Sequence, residues 1–191
     1  MLITTSPFVK TYSLDEFWTL PEPSNRYKQE LIRGVLYMVP PPDEHVHDPI
    51  VARLNRLFVL ELHRLGDRGF LLFPRSGIWT YFPDTWLEPD LFYLSPASAE
   101  AFKNKSRSSA DLVIEVLSPS SADYDRKTKA DTYGALDIKE LWLVDPEART
   151  VEVRVNKGKK WGTTKKLRDG EELLCSAIPG LRIPVSGIFS E

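Results

Sequence analysis

Cysteine occurs once in the 191 residues, at Cys175. A lone cysteine excludes an internal disulfide framework and a cysteine-rich zinc site, and it fits a reducing compartment. No apolar run approaches the length needed to span a bilayer. The opening "MLITTSPFVKTYSLDEFWTL" lacks a charged segment followed by an apolar one, so no secretory leader is expected. Together these absences point to a cytoplasmic protein without membrane contact. Positive charge is not in excess either: the formal net charge is −2. A global basic field is therefore missing, and a polyanionic partner needs a locally basic surface or a metal ion. Internal repeats, low-complexity tracts and linkers are also absent, which argues for one domain over residues 1–191.

What is present is ordinary for a globular chain, with 42% hydrophobic and 27% charged residues. Ser13 and Glu16 have the spacing of a capping box at the start of a short helix, with Tyr12 and Phe17 placed as a hydrophobic staple. Pro21 and Pro23 end it. "YKQELIRGVLYMVP" predicts a hairpin, Tyr27 to Ile32 and Val35 to Val39, turning at Arg33-Gly34. "HDPIVARLNRLFVLELHRLG" predicts a helix with Asp48 as N-cap, Pro49 in the first turn and Gly66 at the end. Its stripe is Ile50, Leu54, Leu57, Phe58 and Leu65. Strands follow in "GFLLFPRSGIWTYF", "PDLFYLS" and "DLVIEVLS", then a helix from Ser120 to Leu136, then a strand in "ELWLVDP". The C-terminal remainder reads as hairpins. This order predicts an α/β (α+β) fold, a mixed β-sheet flanked by helices.

A carboxylate sits inside the most apolar of these strands. Alternation places Asp111, Val113, Glu115 and Leu117 on one face of "DLVIEVLS", and Leu112, Ile114 and Val116 on the other. An unpaired buried carboxylate costs several kcal/mol. Glu115 is therefore protonated, paired in a core salt bridge, or bound to a metal. Asp90 follows Pro89 at the start of the preceding strand, where turn chemistry alone explains an aspartate. If the two strands are neighbours, Asp90 and Glu115 converge. Two hard oxygen donors suit Mg²⁺, and no histidine or cysteine set accompanies them for zinc. Lys127 can pair along the helix surface with Asp123 and Asp131. Lys129 shares a stripe with Ala122, Asp125, Tyr133 and Leu136, and this stripe is expected to face the sheet. It is either a catalytic cation or a counter-ion to Glu115.

In this combination the chain resembles the PD-(D/E)xK nuclease superfamily. "EPDLFYLS", "LVIEVLSPSS", "DRKTK" and "ELWLVDP" are similar to a bacterial family of restriction-endonuclease-like proteins once known only as a domain of unknown function. "YKQELIRGVLYMVPPP", "HDPIVARL" and "IPGLRIPVSGIF" extend the similarity from about Tyr12 to Phe189. One departure stands out. The usual lysine two residues after the acid is here Leu117, and the lysine lies in the following helix.

The resemblance implies a Mg²⁺- or Mn²⁺-dependent enzyme hydrolysing DNA phosphodiester bonds, double-stranded DNA in particular. Asp90, Glu115 and the Val116 carbonyl would hold the metal, and Lys129 would position or activate water. Glu30 matches an acidic position beside the metal, or is an exposed hairpin residue. His47, just before the helix, is an accessory candidate or a surface histidine, and Asp125 and Tyr133 could support Lys129. His45 and His63 read as surface residues. Lys103, Lys105 and Arg107 form a basic loop before the Glu115 strand, a candidate for substrate contact. "NKGKKWGTTKKLRDG" reads either as a nucleic-acid-tracking hairpin with Trp161 stacking on a base, or as a solvated hairpin whose lysines discourage edge pairing. A homodimer is expected, one site per DNA strand. A catalytically inactive nuclease-fold binding protein, and a metal-dependent hydrolase of RNA or another phosphoester, are the alternatives.

Overall fold

A computed structural model describes residues 10–24, 26–66 and 68–190, with the backbone but not the side chain of Thr163. The chain begins with α1 (Leu14–Trp18), closed by the expected capping box. The Ser13 hydroxyl accepts from the Glu16 N–H, and the Glu16 carboxylate accepts from the Ser13 N–H at 2.7 Å. Next comes the hairpin of β1 (Lys28–Ile32) and β2 (Val35–Val39). Its turn residues Arg33 and Gly34 have φ of 51° and 77°, the positive pair that twists a two-residue turn to match its strands. A Cβ on Gly34 would also lie 3.1 Å from the Tyr12 carbonyl oxygen, so only glycine fits without displacement there.

The long helix α2 (Glu44–Leu65) begins earlier than the sequence suggests. Its N-cap is Asp43, whose side chain accepts from the His45 N–H at 3.0 Å, and Pro49 lies inside the helix. Pro49 is the sixth residue of this helix and forgoes the N–H bond to the His45 carbonyl, so it does not mark the boundary. His47 is consequently inside the first turns rather than ahead of them. Ile50, Leu54, Phe58 and Leu62 are buried along one face, and Gly66 closes the helix at φ 63°.

Two sheets carry most of the remainder. The first is antiparallel, in the order β2-β1-β5-β4, with β4 (Ile78–Tyr81) and β5 (Asp84–Leu87) forming a second hairpin. The sequence alone predicts no strand at β5. The second sheet has the order β10-β9-β8-β7-β6-β3. It comprises β3 (Phe70–Leu72), β6 (Leu91–Leu94), β7 (Leu112–Val116), β8 (Glu140–Asp145), β9 (Thr150–Asn156) and β10 (Trp161–Arg168). Only β7 and β8 pair in parallel, so this sheet is mixed. A short helix α3 (Pro96–Ala101) links β6 towards β7. The crossover from β7 to β8 is helical over 122–135: α4 (Ala122–Tyr124), a π-helical stretch Asp125–Lys129, and α5 (Ala130–Ala135). A small hairpin, β11 (Glu172–Leu174) with β12 (Arg182–Pro184), and α6 (Val185–Phe189) complete the described chain.

The alternation expected for β7 is realised. Leu112, Ile114 and Val116 pack with Ile50, Leu54, Phe58 and Leu62 of α2 on one side of the sheet. Val113 and Leu117 pack on the other side with Ala130 and Tyr133 of α5 and with Ile32, Ile78 and Leu87 of the first sheet. Glu115 belongs to this second face, beneath the helical crossover and the β1–β5 sheet. Burying each large aliphatic side chain here contributes roughly 1.5–3 kcal/mol. That drives the chain to place Glu115 in the interior despite its charge. No helix among the described residues is long and apolar enough to cross a membrane.

Candidate active site

The site follows from strand register. β6 and β7 are antiparallel, with Leu91 opposite Ile114. One step further along the same register, Asp90 faces Glu115 across the strand pair. The Val116 N–H donates to Asp90 Oδ2 at 2.8 Å, and His47 Nε2 approaches the same oxygen at 3.1 Å from α2. On Glu115, Oε1 accepts from the Tyr133 hydroxyl at 2.5 Å and lies 2.7 Å from Lys129 Nζ. Each carboxylate is thus gripped by one oxygen. None of these contacts uses Asp90 Oδ1 or Glu115 Oε2. Asp90, Glu115, Val116, Asp125, Lys129 and His47 line one pocket of about 260 Å³.

Lys129 is buried with three carboxylates around it. Besides Glu115, its Nζ lies 3.2 Å from Glu30 Oε1 and 3.7 Å from Asp125 Oδ1. The Ser121 hydroxyl donates to Asp125 Oδ2 at 2.7 Å. Glu30 is fully buried, not an exposed hairpin residue. It accepts from the Glu88 N–H at 3.0 Å and from the Tyr124 hydroxyl at 2.8 Å, with Lys28 Nζ 3.4 Å away. Tyr124 and Lys28 were not singled out by the sequence. The signal for Lys28 was its place two residues before Glu30 on one face of β1. For Tyr124 it was hidden by the π-helical stretch. That stretch adds a residue to the turn and lets Tyr124 and Lys129, five apart, both reach Glu30.

Electrostatics separates the two central carboxylates. Burial pushes Glu115 up to about 7, and the Asp90 and Asp125 charges add to this against the pull of Lys129. Burial pushes Asp90 the same way, but the hydrogen bond and charge of His47 outweigh it and hold Asp90 below the usual range. Glu30 is also lowered: burial opposes ionisation, yet Lys129, Lys28 and the two hydrogen bonds prevail. Lys129 is raised well above its ordinary value, because its carboxylate neighbours overcome the cost of burial. It stays an ammonium and acts as a donor. His47 rises to about 9: burial works against its charge, and Asp90 and Asp48 outweigh burial.

The His47 shift makes a stability prediction for the metal-free protein. A base raised in the folded state stabilises it fully below the unfolded value of about 6.5, and this contribution disappears as pH climbs through about 9. The amount at stake is about 3 kcal/mol at most. Thermal melts in EDTA should show the wild type losing several degrees more than His47→Gln between those two pH values. Parallel melting curves for the two proteins would contradict it.

The remaining sequence candidates lie elsewhere. Lys103, Lys105 and Arg107 sit in the connection between the end of β6 and the start of β7, opposite to the end that carries Asp90 and Glu115. None of them lines the site pocket. Lys103 is 3.6 Å from Glu100, and Arg107 donates to the Gly77 carbonyl. Lys127 pairs with Asp123 at 3.2 Å on the surface. Trp161 is tied to the crossover helix: its indole N–H donates to the Ala130 carbonyl at 2.9 Å, and the ring is partly buried against the core. The lysines of that hairpin are exposed. His45 and His63 are exposed as expected.

The residues present fit a divalent ion of the Mg²⁺ type. Among the described residues no group of three or more His, Cys, Asp or Glu forms a ready metal cage. Mg²⁺ does not ask for one, since it keeps several waters and takes one or two carboxylates. Two carboxylates close enough for one to raise the other's pKa are a site where a cation relieves repulsion.

Comparisons with known proteins bear on the family and the fold. A sequence model of the family "Uma2: Putative restriction endonuclease" matches residues 14–186. Among solved structures, the chain is similar to one described as a putative nuclease belonging to DUF820, from Anabaena variabilis. The TM-score is 0.75 at 19% identity, covering 94% of this chain and 98% of that one. The likeness shows a shared fold. No curated protein matches the chain.

Proposed function

The chain belongs to the family described as "Uma2: Putative restriction endonuclease", and on that premise we propose that it is a metal-dependent endonuclease hydrolysing DNA phosphodiester bonds. The observation that carries this reading is the Asp90–Glu115 pair facing across β6 and β7, with Lys129 Nζ 2.7 Å from Glu115. Asp90, Glu115 and the Val116 carbonyl would hold Mg²⁺ or Mn²⁺. Such an ion, when bound, polarises the phosphoryl group and offsets its growing charge. The chain's own part is positioning. The Val116 N–H and His47 fix Asp90, while Tyr133 fixes Glu115. Lys129, held by Glu30, Glu115 and Asp125, presents a permanent ammonium to the attacked phosphate or its water. Lysine in the crossover helix takes the place that Leu117 leaves empty on the strand. The unit would act as a single domain over residues 1–191, in the cytoplasm, as a homodimer cutting double-stranded DNA with two sites.

A second reading has an observation of its own. Lys129 has three carboxylate partners, as a structural counter-ion would, which suits a nuclease-fold binding protein without catalysis. Incubation of plasmid, single-stranded DNA and RNA with wild type and Asp90→Ala, in Mg²⁺ or Mn²⁺, separates the readings. Metal-dependent DNA cleavage lost in the variant is the expected result. Cleavage of RNA alone moves the substrate class. No cleavage of any substrate favours the binding protein.

A further inference from the structure

A second hollow adjoins the active-site pocket and has different chemistry. The pocket around Asp90 and Glu115 shares Arg26, Lys28 and Pro74 with a neighbouring groove of about 520 Å³. Rings of Trp18, Tyr27 and Trp86 line this groove, together with Arg75. Trp18 is braced edge-on by Trp79 at 5.5 Å, Tyr81 at 6.0 Å and Trp86 at 6.2 Å between centroids. It nevertheless leaves 44% of its surface exposed. Tyr27 leaves 36% exposed. A bare aromatic wall braced by its neighbours is a surface kept for a ligand more than for the core. The groove's charge agrees. Three cations, Arg26, Lys28 and Arg75, face two acids, Glu22 and Glu88. Arg26 meets Glu44 at 2.6 Å and Arg75 meets Glu22 at 3.7 Å, both in exposed pairs of the kind that contribute little and that a phosphate can displace. Lys28 stands on the wall common to both hollows.

Aromatic rings flanked by cations are what unpaired nucleotides require, since each base has a face to stack and each phosphate a charge to meet. In an intact duplex those base faces are hidden by their neighbours. We propose that this groove holds the unpaired nucleotides flanking the phosphate presented to Asp90 and Glu115. The substrate is then DNA with a single-stranded stretch beside the scissile bond. Lys28 meets the phosphate between the two hollows, and Trp18 and Tyr27 take the next base. This inference rests on the nuclease reading and narrows its substrate.

Binding is tested apart from cleavage. In an Asp90→Asn chain, intrinsic tryptophan fluorescence is titrated with a short oligothymidine and, separately, with a blunt duplex of equal length. Oligothymidine should quench the emission and bind more tightly than the duplex. Trp18→Leu and Arg75→Glu should each weaken that binding about tenfold, and Trp18→Phe should recover most of it. Arg75 is 87% exposed on its side chain, so its variant leaves the core untouched. Unchanged oligothymidine affinity in both variants overturns the groove, as does tighter binding of the blunt duplex. Wild-type cleavage is assayed in parallel. A chain that cleaves DNA while both variants bind normally refutes the groove and keeps the nuclease. A chain that cleaves nothing yet loses binding in both variants keeps the groove and refutes the nuclease.

Discussion

Lys129→Met should destabilise the protein by about 3–5 kcal/mol and lower its melting temperature on the order of 10 °C. Methionine keeps the volume of the side chain and removes its charge. Glu30, Glu115 and Asp125 would then face one another with no central cation. Buried charges that lose a partner are far more costly than exposed ones. The sign with pH follows directly. The penalty should shrink as pH falls, because carboxyls that take up protons no longer repel. Melting curves of wild type and variant should therefore converge towards acid pH. A penalty independent of pH would mean that packing, not charge, is the role of Lys129. Cleavage should also fall, by roughly 10²–10³-fold, the effect of removing one electrostatic donor. Activity of the variant that stays near wild type under conditions where it is folded would make Lys129 a counter-ion only.

Asp90→Asn should have the largest effect on activity, with a loss on the order of 10³-fold or more, equivalent to several kcal/mol of stabilisation supplied by a metal. The substitution is nearly isosteric, so the Val116 N–H keeps an acceptor and the strand end keeps its form. A second readout isolates the charge. Asp90 is one of the causes that hold Glu115 up near about 7. Removing that charge should let Glu115 titrate lower, as carboxyl-selective NMR can follow. A Glu115 titration that does not move would place the two carboxylates too far apart to share an ion.

The parts of the fold legible in the sequence are those where one periodicity dominates. The β7 run reads as a strand buried on both sides because Leu112, Val113, Ile114 and Val116 leave no polar face. Its alternation also fixed which side Glu115 occupies. Asp90 could be paired with it only conditionally, since nothing in a single chain states which strands are neighbours. The register of β6 on β7 supplied that. Lys129 was legible from its helical stripe, and Leu117 in the usual lysine position made the displacement visible.

Other features depended on tertiary context. Glu30 has Gln29 before it and Leu31 after it, a pattern that suits an edge hairpin. Its burial comes from the crossover helix closing over β1, with Tyr124 and Lys129 reaching down. Asp48-Pro49 gives a stronger local start signal, an N-cap aspartate with proline at the first position, than Asp43-Glu44, so sequence alone favours the wrong start of α2. The earlier cap prevails, and it brings His47 onto the helix face that meets Asp90. The π-helical stretch over Asp125–Lys129 has no composition of its own. It reflects side chains drawn to a common point. β5 was missed because Asp84-Thr85-Trp86-Leu87 is short and begins with turn residues.

The central claim is that Asp90 and Glu115 together hold one divalent ion. Calorimetric titration of Mn²⁺ into the wild type, Asp90→Asn and Glu115→Gln tests it most directly. One site per chain in the wild type, lost or greatly weakened in both variants, is the predicted result. Mn²⁺ affinity unchanged in either folded variant would contradict it.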